Sequence, residues 1–214
     1  MDQRQIDPSS LGLFGEEAGV KTSDGRHLRR DANRLRVVEA LVELFSEGNP
    51  KPTAGEIAVR AEISERSIFR YFADLRDLER AAVERYVRDA FPYALIPHPR
   101  PEDPRGRLEL LVETRAALHN HIEPVASISR NHFARNDVLG ESIKKVRDLL
   151  RFQIAMLFDP ELSTLGEERE RTLYALDLTF SFETWFFIRQ SQELSHEQAK
   201  EITFLSGERI LRLS

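Results

Sequence analysis

The stretch T-A-G-E-I-A-V-R-A-E-I-S-E-R-S-I-F-R-Y-F, Thr53 to Phe72, holds two helix starts about eleven residues apart. Thr53 followed by Glu56 is a capping-box pattern, in which a hydroxyl and a carboxylate satisfy orphan amides at a helix N-terminus. Ile57, Ala58 and Ala61 then give one apolar face. Ser64 is a second N-cap, and Ile68 and Phe72 repeat the apolar face behind it. About three residues, Glu62 and Ile63 among them, separate the two helices. That is the turn length of a helix-turn-helix, whose second helix enters the DNA major groove. A helical hairpin inside any all-helical protein would also carry two caps and a short turn. The second helix favours nucleic acid, because its polar face holds Glu65, Arg66, Ser67, Arg70 and Tyr71, groups suited to base edges and phosphates.

Working outward, I-A-V-R-A-E-I-S-E-R-S-I-F-R-Y-F-A-D-L-R-D-L resembles the DNA-binding signature of the TetR family of transcriptional regulators. The resemblance runs back through an amphipathic helix near residues 31–46 and forward to about residue 90. Beyond that the chain is similar to the family only in length and helical character. The resemblance implies an all-α fold, with an N-terminal three-helix DNA-binding unit and a C-terminal helical domain for effector binding and dimerisation. It assigns 26–73 to the DNA-binding domain and 74–214 to the second, with 74–91 a connecting helix. The implied contacts are Thr53 at a phosphate, small Ala54 and Gly55 allowing close approach, Glu65 and Arg66 facing bases, Ser67 and Arg70 following on the exposed side, Tyr71 where the family often has a phosphate-contacting histidine, and Arg76 as a substitute for the lysine that begins the next helix. Three positions depart from the family pattern. Glu62 stands where the turn has glycine, Phe69 where a tyrosine meets a phosphate, and Leu75 where a lysine opens the next helix.

The 214 residues are 41% hydrophobic, enough for a real core. No cysteine is present, which removes disulfides, thiolate nucleophiles and zinc–cysteine sites. Net charge is −5, yet residues 26–80 hold eleven Lys/Arg against ten Asp/Glu. With so small a local surplus, DNA affinity must come from where cations sit rather than from how many there are. The most apolar stretch, Leu173–Ile188, is broken by Asp177 and Glu183, so no membrane span is expected, and the N-terminus lacks a secretory pattern. A cytoplasmic protein is the expectation.

Residues 1–25 read as an irregular, mobile arm. The basic run Arg26–Arg30 reads equally as a solvated cluster or as an arm bringing Arg29 and Arg30 to a groove or phosphates. Helix one is predicted from Asp31 to Ser46, and the next long helix from Asp74 to Phe91. Pro92, Pro97, Pro99, Pro101 and Pro104 then mark a semi-rigid connector.

Five further helical patterns follow. One, from about Gly166 to Gln190, is apolar nearly all round and must be buried on several sides. With the small residues of the last helix it resembles the paired helices through which the family dimerises, which points to Phe182, Phe186, Ala199, Thr203, Ser206, Gly207 and Ile210. A helix enclosed within one subunit is the alternative. Phe133, Phe152, Met156, Asp177, Phe180 and Trp185 are the candidate lining of a site for an aromatic or lipophilic effector.

No glycine-rich phosphate loop, metal-binding helix pair or nucleophile elbow is visible, so no enzymatic activity, metal or cofactor is expected. His119 and His121, two residues apart, point to different helix faces. The resulting expectation is a homodimeric, ligand-responsive repressor on a pseudo-palindromic double-stranded operator. The alternative is a helical small-molecule or protein-binding module that does not read DNA.

Overall fold

The computed structural model describes the backbone of residues 25–133 and 137–213, and the side chains of 28–123, 126 and 144–213. Of the arm read at residues 1–25, residues 1–24 lie outside the described residues and Gly25 opens a helix; the side chain of Phe133 also lies outside them. Among the described residues every regular element is a helix, so the fold is all-α. The helices are α1 (Gly25–Ser46), α2 (Ala54–Arg60), α3 (Glu65–Tyr71), α4 (Leu75–Ala94), α5 (Pro104–Phe133), α6 (Asp137–Leu157), α7 (Asp159–Leu162), α8 (Arg169–Thr179), α9 (Phe182–Phe186) and α10 (His196–Leu211). Two compact units result. The first comprises residues 25–89 with 124–133 and 137–142, the second 90–123 with 143–213.

In the first unit α1, α2, α3 and the start of α4 share one core. Val37, Val38, Leu41, Leu44 and Phe45 of α1 close on Ile57, Ala58, Ile68, Phe72, Leu78 and Ala82. Helix α1 begins six residues before the predicted Asp31. The run R-H-L-R-R lacks an apolar stripe to betray it, but arginine and leucine are good helix formers. Arg29 and Arg30 therefore ride on α1 rather than on an arm. Gly48, at φ 85°, ends the helix; its N–H donates to Phe45 O at 3.0 Å and Asn49 N–H to Leu44 O at 3.0 Å. This is the Schellman pattern, whose left-handed residue favours glycine.

The second unit packs Leu108 and Leu111 of α5, Ile154, Leu157 and Phe158 at the end of α6, Leu162 of α7, Leu176 and Phe180 around the end of α8, and Leu211 of α10. The apolar helix expected over 166–190 is broken. Gly166 has non-helical angles (φ 53°, ψ −121°) within a 3-10 segment, Ser163–Glu168. At Ser181 the backbone is extended (φ −75°, ψ 156°) and Ser181 Oγ accepts from Thr184 N–H at 3.2 Å. Serine competes for amides in this way at helix starts, and here the cap overrides the continuous apolar pattern. A π turn, Phe187–Ser191, follows α9. The break frees the segment from having to bury every side, and Leu178 and Phe187 remain exposed.

Helix α10 opens on a capping box. Ser195 Oγ accepts from Gln198 N–H at 3.2 Å, and Ser195 N–H donates to Gln198 Oε1 at 2.9 Å. Among its small residues, Ala199, Thr203 and Gly207 are buried within the chain itself. A β-carbon on Gly207 would lie 2.8 Å from Leu108 Cδ1 and 3.1 Å from Phe180 Cζ. These three residues therefore let α10 approach its own unit and are not on offer to a second copy. Ser206, Ile210, Phe182 and Phe186 are half-buried.

Candidate nucleic-acid interface

Helix α2 is held at its start by the reciprocal bonds expected of Thr53 and Glu56. Thr53 Oγ1 accepts from Glu56 N–H at 3.2 Å, and Thr53 N–H donates to Glu56 Oε2 at 2.7 Å. Those bonds hold the Glu56 carboxyl below its ordinary range. At its end Glu62 adopts φ 53°, the left-handed conformation the turn requires, although it carries a β-carbon. Its N–H donates to Val59 O at 3.2 Å and Ile63 N–H to Ala58 O at 3.0 Å, the same Schellman closure that ends α1. Arg36 of α1 secures the bend, donating to Ala61 O at 2.7 Å and to Glu62 Oε2 at 3.0 Å. The missing turn glycine thus costs strain but not geometry.

We expect Glu62→Gly to raise stability by about 0.5–1 kcal/mol. It relieves roughly 1–2 kcal/mol of left-handed strain, while the exposed ion pair it removes contributes less and the freer unfolded chain offsets part of the gain. A higher urea midpoint at unchanged slope would show it; a lower midpoint would mean that Arg36–Glu62 holds the turn.

Helix α3 is capped by Ser64, whose Oγ accepts from Ser67 N–H at 3.3 Å. Ile68 is fully buried and Phe72 nearly so, which fixes the helix against α1 and α2. Its seven residues make about two turns, and an α-helix about 10–12 Å across fits a major groove about 12 Å wide. Glu65, Arg66, Phe69 and Arg70 form the exposed face. Glu65 does not extend freely, since its carboxylate lies against Gly55 at the start of α2. The hydroxyl of Ser67 lies 2.9 Å from that of Ser64. Thr53 is exposed and Ala54 and Gly55 are half-buried beside it.

Tyr71 is more than a surface phenol. Its hydroxyl accepts from Arg70 Nη2 at 2.7 Å and from Asn33 Nδ2 of α1 at 3.2 Å, and the Arg70 guanidinium lies 5.0 Å from its ring centroid. The hydrogen bond from Arg70 holds the Tyr71 phenol below its ordinary value, and the charge of Arg30 contributes. Arg30, Asn33, Arg70 and Tyr71 are thus one cluster shared by α1 and α3. Asn33 was invisible in the sequence, because a lone asparagine on a polar helix face carries no periodic signal.

Ion pairing resolves the weak charge surplus. Arg36 is paired with Glu62, Arg60 with Glu43 and Glu47, and Arg80 with Asp77. Arg29, Arg30, Arg66 and Arg76 are exposed and make no ion pair among the described residues. The acidic residues therefore neutralise cations away from α3 and leave those around it uncompensated. Phe69 is half exposed and offers no hydroxyl for a phosphate, but an apolar ring on this face suits a thymine methyl.

No family model and no curated protein matches the chain. Solved structures do. One, a transcriptional regulator from Rhodococcus sp. Rha1, superposes with a TM-score of 0.67 at 18% identity, over 84% of this chain and 96% of that one. Another, a TetR-like transcriptional regulator from Rhodococcus sp. RHA1, gives 0.59 at 19% identity, over 85% and 97%. The fold is that of the TetR-like transcriptional regulators.

Within this TetR-like fold the residues expected to line an effector site are not gathered together. Phe152 and Met156 are on the exposed side of α6. Phe180 is buried in the main core of the second unit and Trp185 in a separate cluster with Ala116, Ile188 and Ala199. Asp177 is half-buried, and burial raises its pKa despite attraction from Arg151, Arg115 and Arg147. Glu183 is paired with Arg147. The structure instead buries a polar set that periodicity did not single out, Arg115 and His119 of α5 with Gln153 of α6. The signal was present, since 115 and 119 continue the apolar spacing of Leu108, Leu111 and Val112. His121 stacks on Tyr93, with ring centroids 4.4 Å apart, so the two histidines do face different ways. Among the described residues no three His, Asp or Glu side chains come together as a metal site would need, and no helix is long and apolar enough to cross a membrane.

Proposed function

We propose that the chain is a sequence-specific DNA-binding transcriptional regulator of the TetR family that acts as a homodimer and represses until an effector binds its second unit. The observation that carries this reading is α3, a short helix anchored through Ile68 and Phe72 that presents unpaired Arg66 outward beside the Arg70–Tyr71 pair. Arg66 is placed for a bidentate contact to guanine. Thr53, Arg29, Arg30 and Arg76 serve the phosphates, and Phe69 a thymine methyl. Two copies read a pseudo-palindromic duplex whose half-sites lie about one helical turn apart. The effector prefers a dimer geometry in which the two α3 helices no longer match successive grooves, and so releases the DNA. Selecting bound duplexes from a random-sequence pool tests the reading, together with mobility shifts on DNA upstream of the chain's own gene. A two-fold motif supports it; equal affinity for every duplex, lost with modest salt, would sink it.

The dimer face we propose is not the one the small residues suggested. Exposed apolar side chains stand on both α8 and α10, Tyr174 and Leu178 on the first, Ile202 and Leu205 on the second. Such residues on two adjoining helices support a four-helix contact with a second copy. The double variant Leu178→Glu with Leu205→Glu is expected to sediment as a monomer with unchanged helix content and to bind the operator at least about tenfold more weakly. A variant that remains dimeric would place the contact elsewhere.

A further inference from the structure

Helix α5 carries a buried arginine whose hydrogen-bonding capacity the second unit leaves partly unused. Arg115 is 2% exposed. Its Nη2 donates to Gln153 Oε1 at 2.9 Å and to Leu150 O at 3.1 Å, while Nε and Nη1 are buried with no acceptor. Arg115 makes no ion pair among the described residues. Asp177 attracts it from α8 without pairing.

The same unit buries a further donor. Trp185 Nε1 is buried and unpartnered. One turn after Arg115, the ring of His119 lies 5.8 Å from that of Trp185 and 5.9 Å from that of Phe182. Burial, and then the charge of Arg115, push His119 down to about 3, so it stays neutral. A buried charge persists where it is paired or fully hydrogen-bonded, and each buried donor without an acceptor is a penalty. This interior has a cation, surplus N–H groups and aromatic walls. No anion is paired with that cation among the described residues.

We propose that the interior between α5 and α9 binds an organic carboxylate. The carboxylate oxygens accept from Arg115 and Trp185, and an aromatic or aliphatic body lies against Phe182 and Trp185. The planar guanidinium matches a carboxylate, and neutral His119 adds no competing charge. This names the effector class for the regulator proposed above and rests on that reading for its role. Helix α9 supplies both Phe182 and Trp185. It is bracketed by the break at Ser181 and the π turn over 187–191, two interruptions of the regular main-chain ladder. α9 is therefore the segment that shifts to admit the acid.

Trp185 is the chain's single tryptophan, so its fluorescence reports on the site. The full chain is titrated with benzoate and octanoate, and with benzamide and octanamide as uncharged counterparts. The acids are expected to change Trp185 emission saturably and to raise the melting temperature, the amides to bind at least about tenfold more weakly. Arg115→Met is expected to lose that preference and, without ligand, to melt about 2–4 °C above the parent, because it removes a buried charge that has no ion pair and two unpartnered nitrogens. Asp177→Asn is expected to keep the preference for acids. The proposal is overturned if acid and amide bind equally, if neither acid binds, if Arg115→Met keeps its preference or melts lower, or if Asp177→Asn abolishes binding. Mobility shifts on the same preparations separate the two claims, since a chain that binds acids but no DNA refutes the regulator alone.

Discussion

Replacing Arg66 and Arg70 together with alanine is expected to weaken operator binding by roughly 10²–10³-fold at fixed salt. A good arginine contact to a base edge is worth about 1–3 kcal/mol, and the loss of a phosphate-type contact compounds it. The two arginines should not fail in the same way. Arg66 is exposed and unpaired, so Arg66→Ala should relax the base preference at one position of each half-site. Arg70 is tied to the hydroxyl of Tyr71, which in turn is held by Asn33. Its loss should weaken binding across sequences and lower the salt dependence, as for a phosphate contact. Arg60→Ala is the matched control. Arg60 bonds Glu47 at 2.7 Å and Glu43 at 3.1 Å and so has no charge to spare for DNA. Competition titrations on a selected operator would separate these cases. Equal losses from Arg60→Ala and Arg66→Ala would mean that net charge, not the face of α3, governs binding.

The other large effect concerns acid stability. His119 is neutral in the folded chain, with a pKa lowered to about 3 by burial and by Arg115, against an ordinary 6.5. Below pH 6.5 the unfolded chain takes up a proton that the folded chain excludes. Its contribution is therefore neutral above pH 6.5, and stability falls by up to about 1.4 kcal/mol per pH unit until about pH 3. The carboxylates Glu47, Glu56, Asp77 and Asp148 carry lowered pKa values and act below the ordinary carboxylate range. The interval from pH 6.5 to 4.5 lies above the range of these four; Asp177, whose pKa is raised by burial, acts there equally in both proteins, so comparison with a His119 variant isolates the histidine. Over it the native chain should lose about 2–3 kcal/mol relative to His119→Gln, measured by urea unfolding. Parallel pH profiles for the two proteins would show that His119 accepts its proton while folded.

The sequence by itself settled the elements whose determinants are local. Thr53–Glu56, Ser64 and Ser195–Gln198 are caps, and a cap needs only the residues within one turn of it. The bend at Glu62 was legible through its flanking helices, and the all-α fold through periodicity. The exposed face of α3 followed once Ile68 and Phe72 were assigned inward. Tertiary structure alone decided which arginines are free, because Arg36, Arg60 and Arg80 meet their carboxylates only when the helices pack. It decided that Ala199, Thr203 and Gly207 are used up inside one chain, since a small residue invites close approach without saying from which side. It also decided that Arg115 and His119 lie buried with no ion pair among the described residues. A stripe position tells a side chain to turn inward, and only the packed neighbours say whether anything there answers its charge.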